Sequence, residues 1–179
     1  MIYNTVEDIF QTIDDTRDRI YRCVEGLSHQ QSCFRTGPDT WSVAELAEHV
    51  CKSEELIIQR VHSLLAEAES KGCPEGHMAP FSLDHLREIS QGKKFTAPEP
   101  IRPTGDAVLS DVVAQMRRNR EALAALRPRL EVRDASSVTV SHPAFGPLNP
   151  YQLIAFMSHH EGRHLAQMEA VISSPSFPA

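Results

Sequence analysis

The sequence predicts an all-α protein, a four-helix bundle with a long crossover between its second and third helices. Three observations predict it. Four stretches carry apolar residues at alternating steps of three and four, which places them on one face of a helix. Two of the helix starts carry explicit capping signals. No strand-rich region is evident. Such helices bury their apolar stripes against one another, and with only 6% aromatic residues the core is expected to be aliphatic.

The first helix is expected from Asn4 or Thr5 to Gly26, with Val6, Ile9, Ile13, Ile20, Val24 and Leu27 in one stripe that Arg17 interrupts. Gly26 and Ser28 stop it, and SHQQSCFRTGPDT reads as a loop with a Gly37-Pro38 turn. The second helix opens with a capping box, Ser42 and Glu45, and a hydrophobic staple, Trp41 and Leu46. Its stripe is Val43, Leu46, Val50, Ile57, Val61 and Leu64, continuing to about Glu69, with His49 beside it. Read alone, His49 is a flank histidine near the surface.

From Ser70 to Gly105 the chain is rich in proline and glycine and has little periodicity, apart from a short helix around Ser82–Ile89. A connection this long lets the third helix run parallel to the second and can cover a pocket. Its His77 and His85 read as solvated loop residues. The third helix is expected from Asp106 to Arg127, with Leu109, Val112, Val113, Met116, Leu123 and Leu126 inward, Pro128 beyond its end, and RRNRE as a mostly solvated face. Val138 and Val140 suggest a short extended piece, and HPAFGPLN a turn into the last helix.

That helix, NPYQLIAFMSHHEGRHLAQMEAVI, has Asn149 as N-cap, Pro150 at its first position and Leu148 with Leu153 as a staple. Its inward face runs Leu153, Met157, His160, His164, Gln167, Val171. Two imidazoles one turn apart, in the middle of the face that should be most apolar, are hard to explain as packing alone. Both can reach one ion, and neutral imidazole ligates zinc, nickel, copper or iron. A hydrogen-bonded polar pair is the structural alternative. A third ligand is required for a catalytic-type site. His49 lies roughly 10 Å into the second helix, and His164 roughly 12 Å from the end of the last one, at 1.5 Å per residue. Antiparallel neighbours would match those heights.

Composition narrows the function. The 179 residues are expected to form a single domain, 1–179. A net charge of −6 argues against a nucleic-acid partner. No apolar run approaches the ~20 residues that span a bilayer. The acidic, amphipathic start MIYNTVEDIF is unlike a signal peptide. Cys23, Cys33, Cys51 and Cys73 show no CxxC spacing and read as reduced thiols of a cytoplasmic protein. Cys51, two residues from His49 on a helix, faces away from it.

TWSVAELAEHV in the second helix, and HPAFGPLN with HHEGRHLAQ before and in the last, resemble the DinB/YfiT-like metalloprotein family, more closely its DinB-like branch (DinB_2). The resemblance covers nearly the whole chain. It implies an up-down-down-up four-helix bundle and one divalent ion, nickel or zinc, on three histidines that map onto His49, His160 and His164. Characterised members of that family include thiol-dependent enzymes: bacillithiol S-transferases and a mycothiol-dependent maleylpyruvate isomerase.

The leading expectation is therefore a metal-dependent enzyme, a thiol S-transferase or hydrolase, acting on a small-molecule substrate with a low-molecular-weight thiol as co-reactant. The alternative is a non-catalytic metal-binding or stress-related dimerisation module. A homodimer through an apolar bundle face is a further expectation. His160-Glu161-Gly162-Arg163-His164 also spells H-E-x-x-H, the zincin pattern, in which Glu161 would be the general base. The continuation HLAQMEAV lacks a third zincin ligand, which speaks against proteolysis, but Glu161 stays the candidate catalytic residue, with a flank carboxylate beside Arg163 as the plain reading. A di-iron centre would need a second Glu-x-x-His pair, which the sequence lacks. Gln167, Glu45 and Glu54 are candidates to support the ligands, Glu54 because a carboxylate beside an apolar stripe is costly unless paired.

Overall fold

The computed structural model describes residues 1–90 and 95–179. Four long helices form the bundle: α1 (Val6–Val24), α3 (Val43–Ser70), α5 (Leu109–Ala124) and α7 (Pro150–Ile172). Helix α1 packs on α7, α7 on α3 and α3 on α5. Arg17 of α1 closes the ring by donating to the Met116 carbonyl of α5 at 3.2 Å.

Pairwise contacts fix the directions. Thr16 and Arg17 of α1 meet Ser158 and Glu161 of α7, and beyond both helices Phe34 meets Phe177, so α1 and α7 are parallel. Cys51 meets Asn119, and Glu69 meets Arg129 just past α5, so α3 and α5 are parallel. Trp41 lies against His164 while His49, further on, lies against His160, so α3 runs against α7. This is the up-down-down-up order, and the long crossover is what allows two consecutive helices to share a direction.

Local chemistry sets the helix ends. Thr5 with Asp8, Ser42 with Glu45, and Asn149 with Gln152 each form reciprocal capping boxes, satisfying backbone N–H groups that the helix cannot. After α1 the chain turns at Gly26, whose φ of 76° suits a residue without Cβ.

The connections carry more structure than their composition suggests. Within SHQQSCFRTGPDT, Ser28 caps a single turn, α2 (His29–Ser32). In the crossover, β2 (Phe81–Ser82) pairs antiparallel with β1 (Ile2–Tyr3), and α4 (Asp84–Ser90) follows where a short helix was expected. Residues 91–94 of the crossover lie outside the described residues. A 3-10 turn, Glu99–Ile101, completes it.

The third helix starts later and ends sooner than expected. It stops at Ala124, and α6 (Arg127–Val132) begins anew with Pro128 in its first turn. Proline there loses no hydrogen bond, so it starts a helix instead of terminating one. The extended piece near Val140 is a hairpin, β3 (Val140–His142) with β4 (Gly146–Leu148), turned by Gly146 at φ 75°.

Among the described residues the apolar core is two clusters. One holds Ile9, Ile13, Ile57, Val61, Leu123, Leu153 and Met157; the other Ile20, Val43, Leu46, Val50, Met116, Leu165 and Met168. Between them lies a polar layer with side chains from all four helices. Buried in it are Arg17, Glu54, Asn119 and Glu161, beside His49 and His164. RRNRE is mostly solvated, with Arg117, Arg118 and Glu121 exposed, but Asn119 is buried: its amide donates to the Cys51 carbonyl, and Arg120 beside it faces the layer too. No helix among the described residues is long and apolar enough to cross a membrane.

Candidate metal centre

Three histidines from two helices meet in this layer. The Nε2 atoms of His49 and His160 are 3.2 Å apart, and so are those of His164 and His160. The ligand atoms of the three all lie within 4.8 Å of one another. The i, i+4 spacing on α7 supplies two rings, and the antiparallel packing of α3 brings the third to the same height. His49 is thus no surface flank residue; it is 4% exposed. Burial follows from its neighbours: the Trp41 ring lies 5.0 Å from the His49 ring and 6.4 Å from that of His164.

Outer contacts orient two of the rings. His49 donates from Nδ1 to the Ile101 carbonyl at 2.7 Å. His164 donates from Nδ1 to Gln167 Oε1 at 2.7 Å. In a neutral imidazole that bond leaves Nε2 with its lone pair, and in both rings Nε2 faces the centre. His160 can offer at most one proton to two such acceptors. Three nitrogens at this spacing therefore cannot satisfy one another, whereas one cation among them would satisfy all three.

The electrostatics favour the neutral, ligating form. Burial lowers the pKa of His164 to about 3, with the positive potential of a protonated His49 adding to it. Burial, then the neighbouring imidazoles, hold His160 well below the ordinary histidine value. His49 is lowered as well, chiefly by burial, against the bond to Ile101.

Of the residues singled out by sequence, His49, His160 and His164 come together. Gln167 supports His164 from an exposed position, not from the buried face of α7 where its spacing placed it. Glu45 serves the Ser42 cap and also accepts from Arg35 Nε at 2.8 Å, away from the triad. Cys51 is outside the cluster: its sulfur is 3.5 Å from Asn119 Nδ2, and burial pushes its thiol up to about 12. His77 and His85 are exposed.

Glu161 keeps different company from the base that H-E-x-x-H suggested. It is 1% exposed, and Arg17 donates to its Oε1 at 2.6 Å and its Oε2 at 3.4 Å. Arg120 adds a bond to Oε1 at 3.2 Å. Nor is it a flank carboxylate beside Arg163. Glu54 likewise accepts from Arg17, at 2.9 Å, in place of supporting a histidine. Burial raises the Glu54 pKa, and the two arginines pull it down.

Sequence reading missed two contributors, Ile101 and Arg120. A backbone carbonyl has no sequence signal, and Arg120 was hidden among charged neighbours. Arg17 had a signal, its break in an apolar stripe.

An all-helical bundle with three imidazoles converging between two of its helices is the class that fold and site define. The model of the DinB superfamily matches residues 12–168, and the chain belongs to that superfamily. It is similar to the uncharacterised protein YuaE of Bacillus subtilis (strain 168), with 27% identity over 164 residues, 88% of this chain and 93% of that protein. Its fold is similar to the crystal structure of TT2238, a four-helix bundle protein, at a TM-score of 0.61 and 18% identity, covering 92% of this chain and 98% of the other.

Proposed function

We propose that the protein is a metal-dependent enzyme whose single divalent ion, nickel or zinc, is held by His49, His160 and His164. One observation carries the reading: three imidazole Nε2 atoms converge, two of them on buried residues, and the outer bonds of two rings aim their lone pairs at the common point. Nickel and zinc both suit imidazole ligands. When bound, the ion would supply a Lewis acid able to activate water or a low-molecular-weight thiol toward an electrophile.

The chain's own residues provide the rest. Neutral ligands leave the ion's charge uncompensated. Ile101 and Gln167 hold ring orientation. His160, half-buried while its two partners are buried, marks the side from which a small molecule would approach. Thiol S-transfer or hydrolysis is the reaction class this arrangement suits.

The test is elemental analysis of untagged protein beside His49→Ala and His160→Ala. About one nickel or zinc per chain, lost in both variants, is the expected result. Wild-type protein that stays metal-free after reloading would refute the reading. Thiol conjugation to a chromogenic electrophile, and hydrolysis of a chromogenic ester, then separate the two reaction classes.

A further inference from the structure

We propose that Arg17 is a positioning residue for the histidine triad: by anchoring Glu161, its guanidinium sets the rotation of α7 about its own axis. The inference rests on the reading of the triad as a metal site.

Each bundle helix sends one charged side chain into the same layer: Arg17 from α1, Glu54 from α3, Arg120 from α5 and Glu161 from α7. Side-chain exposure is 2% for Arg17, 1% for Glu54, 2% for Glu161 and 15% for Arg120. Arg17 is the hub. One guanidinium reaches Glu161 through two nitrogens, Glu54 at 2.9 Å and the Met116 carbonyl at 3.2 Å, so it bonds to all three other helices.

Stability alone does not account for this group. Buried ion sets are often matched or bettered by apolar side chains of similar volume. Here the bonding is also incomplete: among the described residues Glu54 Oε1 and Arg120 Nε and Nη1 are buried without a hydrogen bond, Glu54 Oε1 only facing Arg120 Nη2 at 3.5 Å and Arg120 Nη1 only facing Asp14 at 3.6 Å. What ions give and aliphatic contacts do not is direction. Hydrogen bonds weaken steeply with angle, whereas apolar burial is nearly isotropic.

Direction is what the triad needs. At about 100° per residue, Glu161 projects about 100° from His160 and about 60° from His164 around α7. Fixing Glu161 against Arg17 and Arg120 therefore turns the histidine pair toward α3 and His49. At a side-chain radius of about 5–6 Å, a rotation of about 10° moves a ring nitrogen by about 1 Å. Metal–ligand distances tolerate only about 0.2 Å.

The test uses cobalt(II) as probe, read by binding titration and ligand-field absorption on the full chain. Arg17→Met alone would strand two buried carboxylates, so the informative variant is Arg17→Met/Glu54→Leu/Glu161→Leu, which removes Arg17 and both carboxylates together and leaves Arg120 its pairing with Asp14 at 3.6 Å. Arg17→Lys is the conservative partner, since an ammonium can hold one carboxylate but cannot bridge three helices. The expected result is a folded triple variant that binds cobalt about tenfold or more weakly with an altered spectrum, and an intermediate Arg17→Lys protein. A folded triple variant with wild-type affinity and spectrum would overturn the proposal. Should the triple variant not fold, wild-type behaviour of Arg17→Lys overturns it in the same way. If wild-type protein takes up no cobalt, the metal reading falls by itself. The anchor is then judged on the histidine ring 15N–1H correlations of metal-free protein, which must shift in the variants for it to stand.

Discussion

Three neutral imidazoles in a buried layer make the metal-free protein sensitive to acid, and His164 gives the size of the effect. Its pKa is lowered from 6.5 to about 3, chiefly by burial. The folded pKa is depressed, so the unfolded chain takes up a proton first as pH falls. Stability is therefore complete above pH 6.5 and is lost progressively toward pH 3. Each pH unit in that window is worth about 1.4 kcal/mol per group, so His164 alone removes about 2 kcal/mol between pH 6.5 and pH 5. The figure does not depend on the folded value as long as that value stays below about 4. His160 is shifted in the same direction and adds to the loss. For a chain of this length the His164 share corresponds to about 4–8 °C in Tm. The assay is urea unfolding with chelator present, at pH 7 and pH 5, on wild type and His164→Gln. Chelation matters because an ion bound only to the folded state would mask the proton effect. Carboxylates titrate in both proteins, so the difference between them isolates the histidine. Wild type should lose about 2 kcal/mol more than His164→Gln. Equal losses in the two proteins would refute the claim that this ring is buried in its neutral form.

Other outcomes follow from the same geometry. Trp41 is the only tryptophan and lies against His49 and His164, so its fluorescence should change in step with nickel binding; a silent tryptophan during stoichiometric uptake would argue against this placement of the site. Among the cysteines, exposed Cys33 should react with a thiol reagent at neutral pH, while buried Cys51 and Cys73 react only on unfolding; prompt labelling of Cys51 would contradict its burial and its raised pKa. Ser42→Ala removes one half of a reciprocal cap and should cost about 1 kcal/mol in urea unfolding, with Asn149→Ala similar. Leu153→Ala, at a fully buried position, should cost about 2–5 kcal/mol with little effect on metal content, because it lies in the cluster away from the triad.

The four long helices were legible because burial periodicity and capping are local. Val43, Leu46, Val50, Ile57, Val61 and Leu64 are all buried as their spacing implies, and the boxes at Ser42 and Asn149 are where the residues announce them. Helix breaks and short pairings were less legible. Pro128 reads as a stop but opens α6, and β1 finds its partner about eighty residues away in β2. Pairing over that distance depends on the path of the intervening chain, which no local pattern records.

The sequence by itself determined the mutual position of His160 and His164 on α7, because i, i+4 spacing fixes it whatever the rest of the chain does. It made His49 a candidate through matching helix heights. Only the tertiary structure decided that His49 is buried, that the Ile101 carbonyl and Gln167 fix the tautomers of two rings, and that Glu161 answers to Arg17. The reason is geometric. Two neighbours on one helix differ by about 100° in direction, and which direction faces the site depends on how four helices rotate against one another. That rotation is a property of the packed bundle.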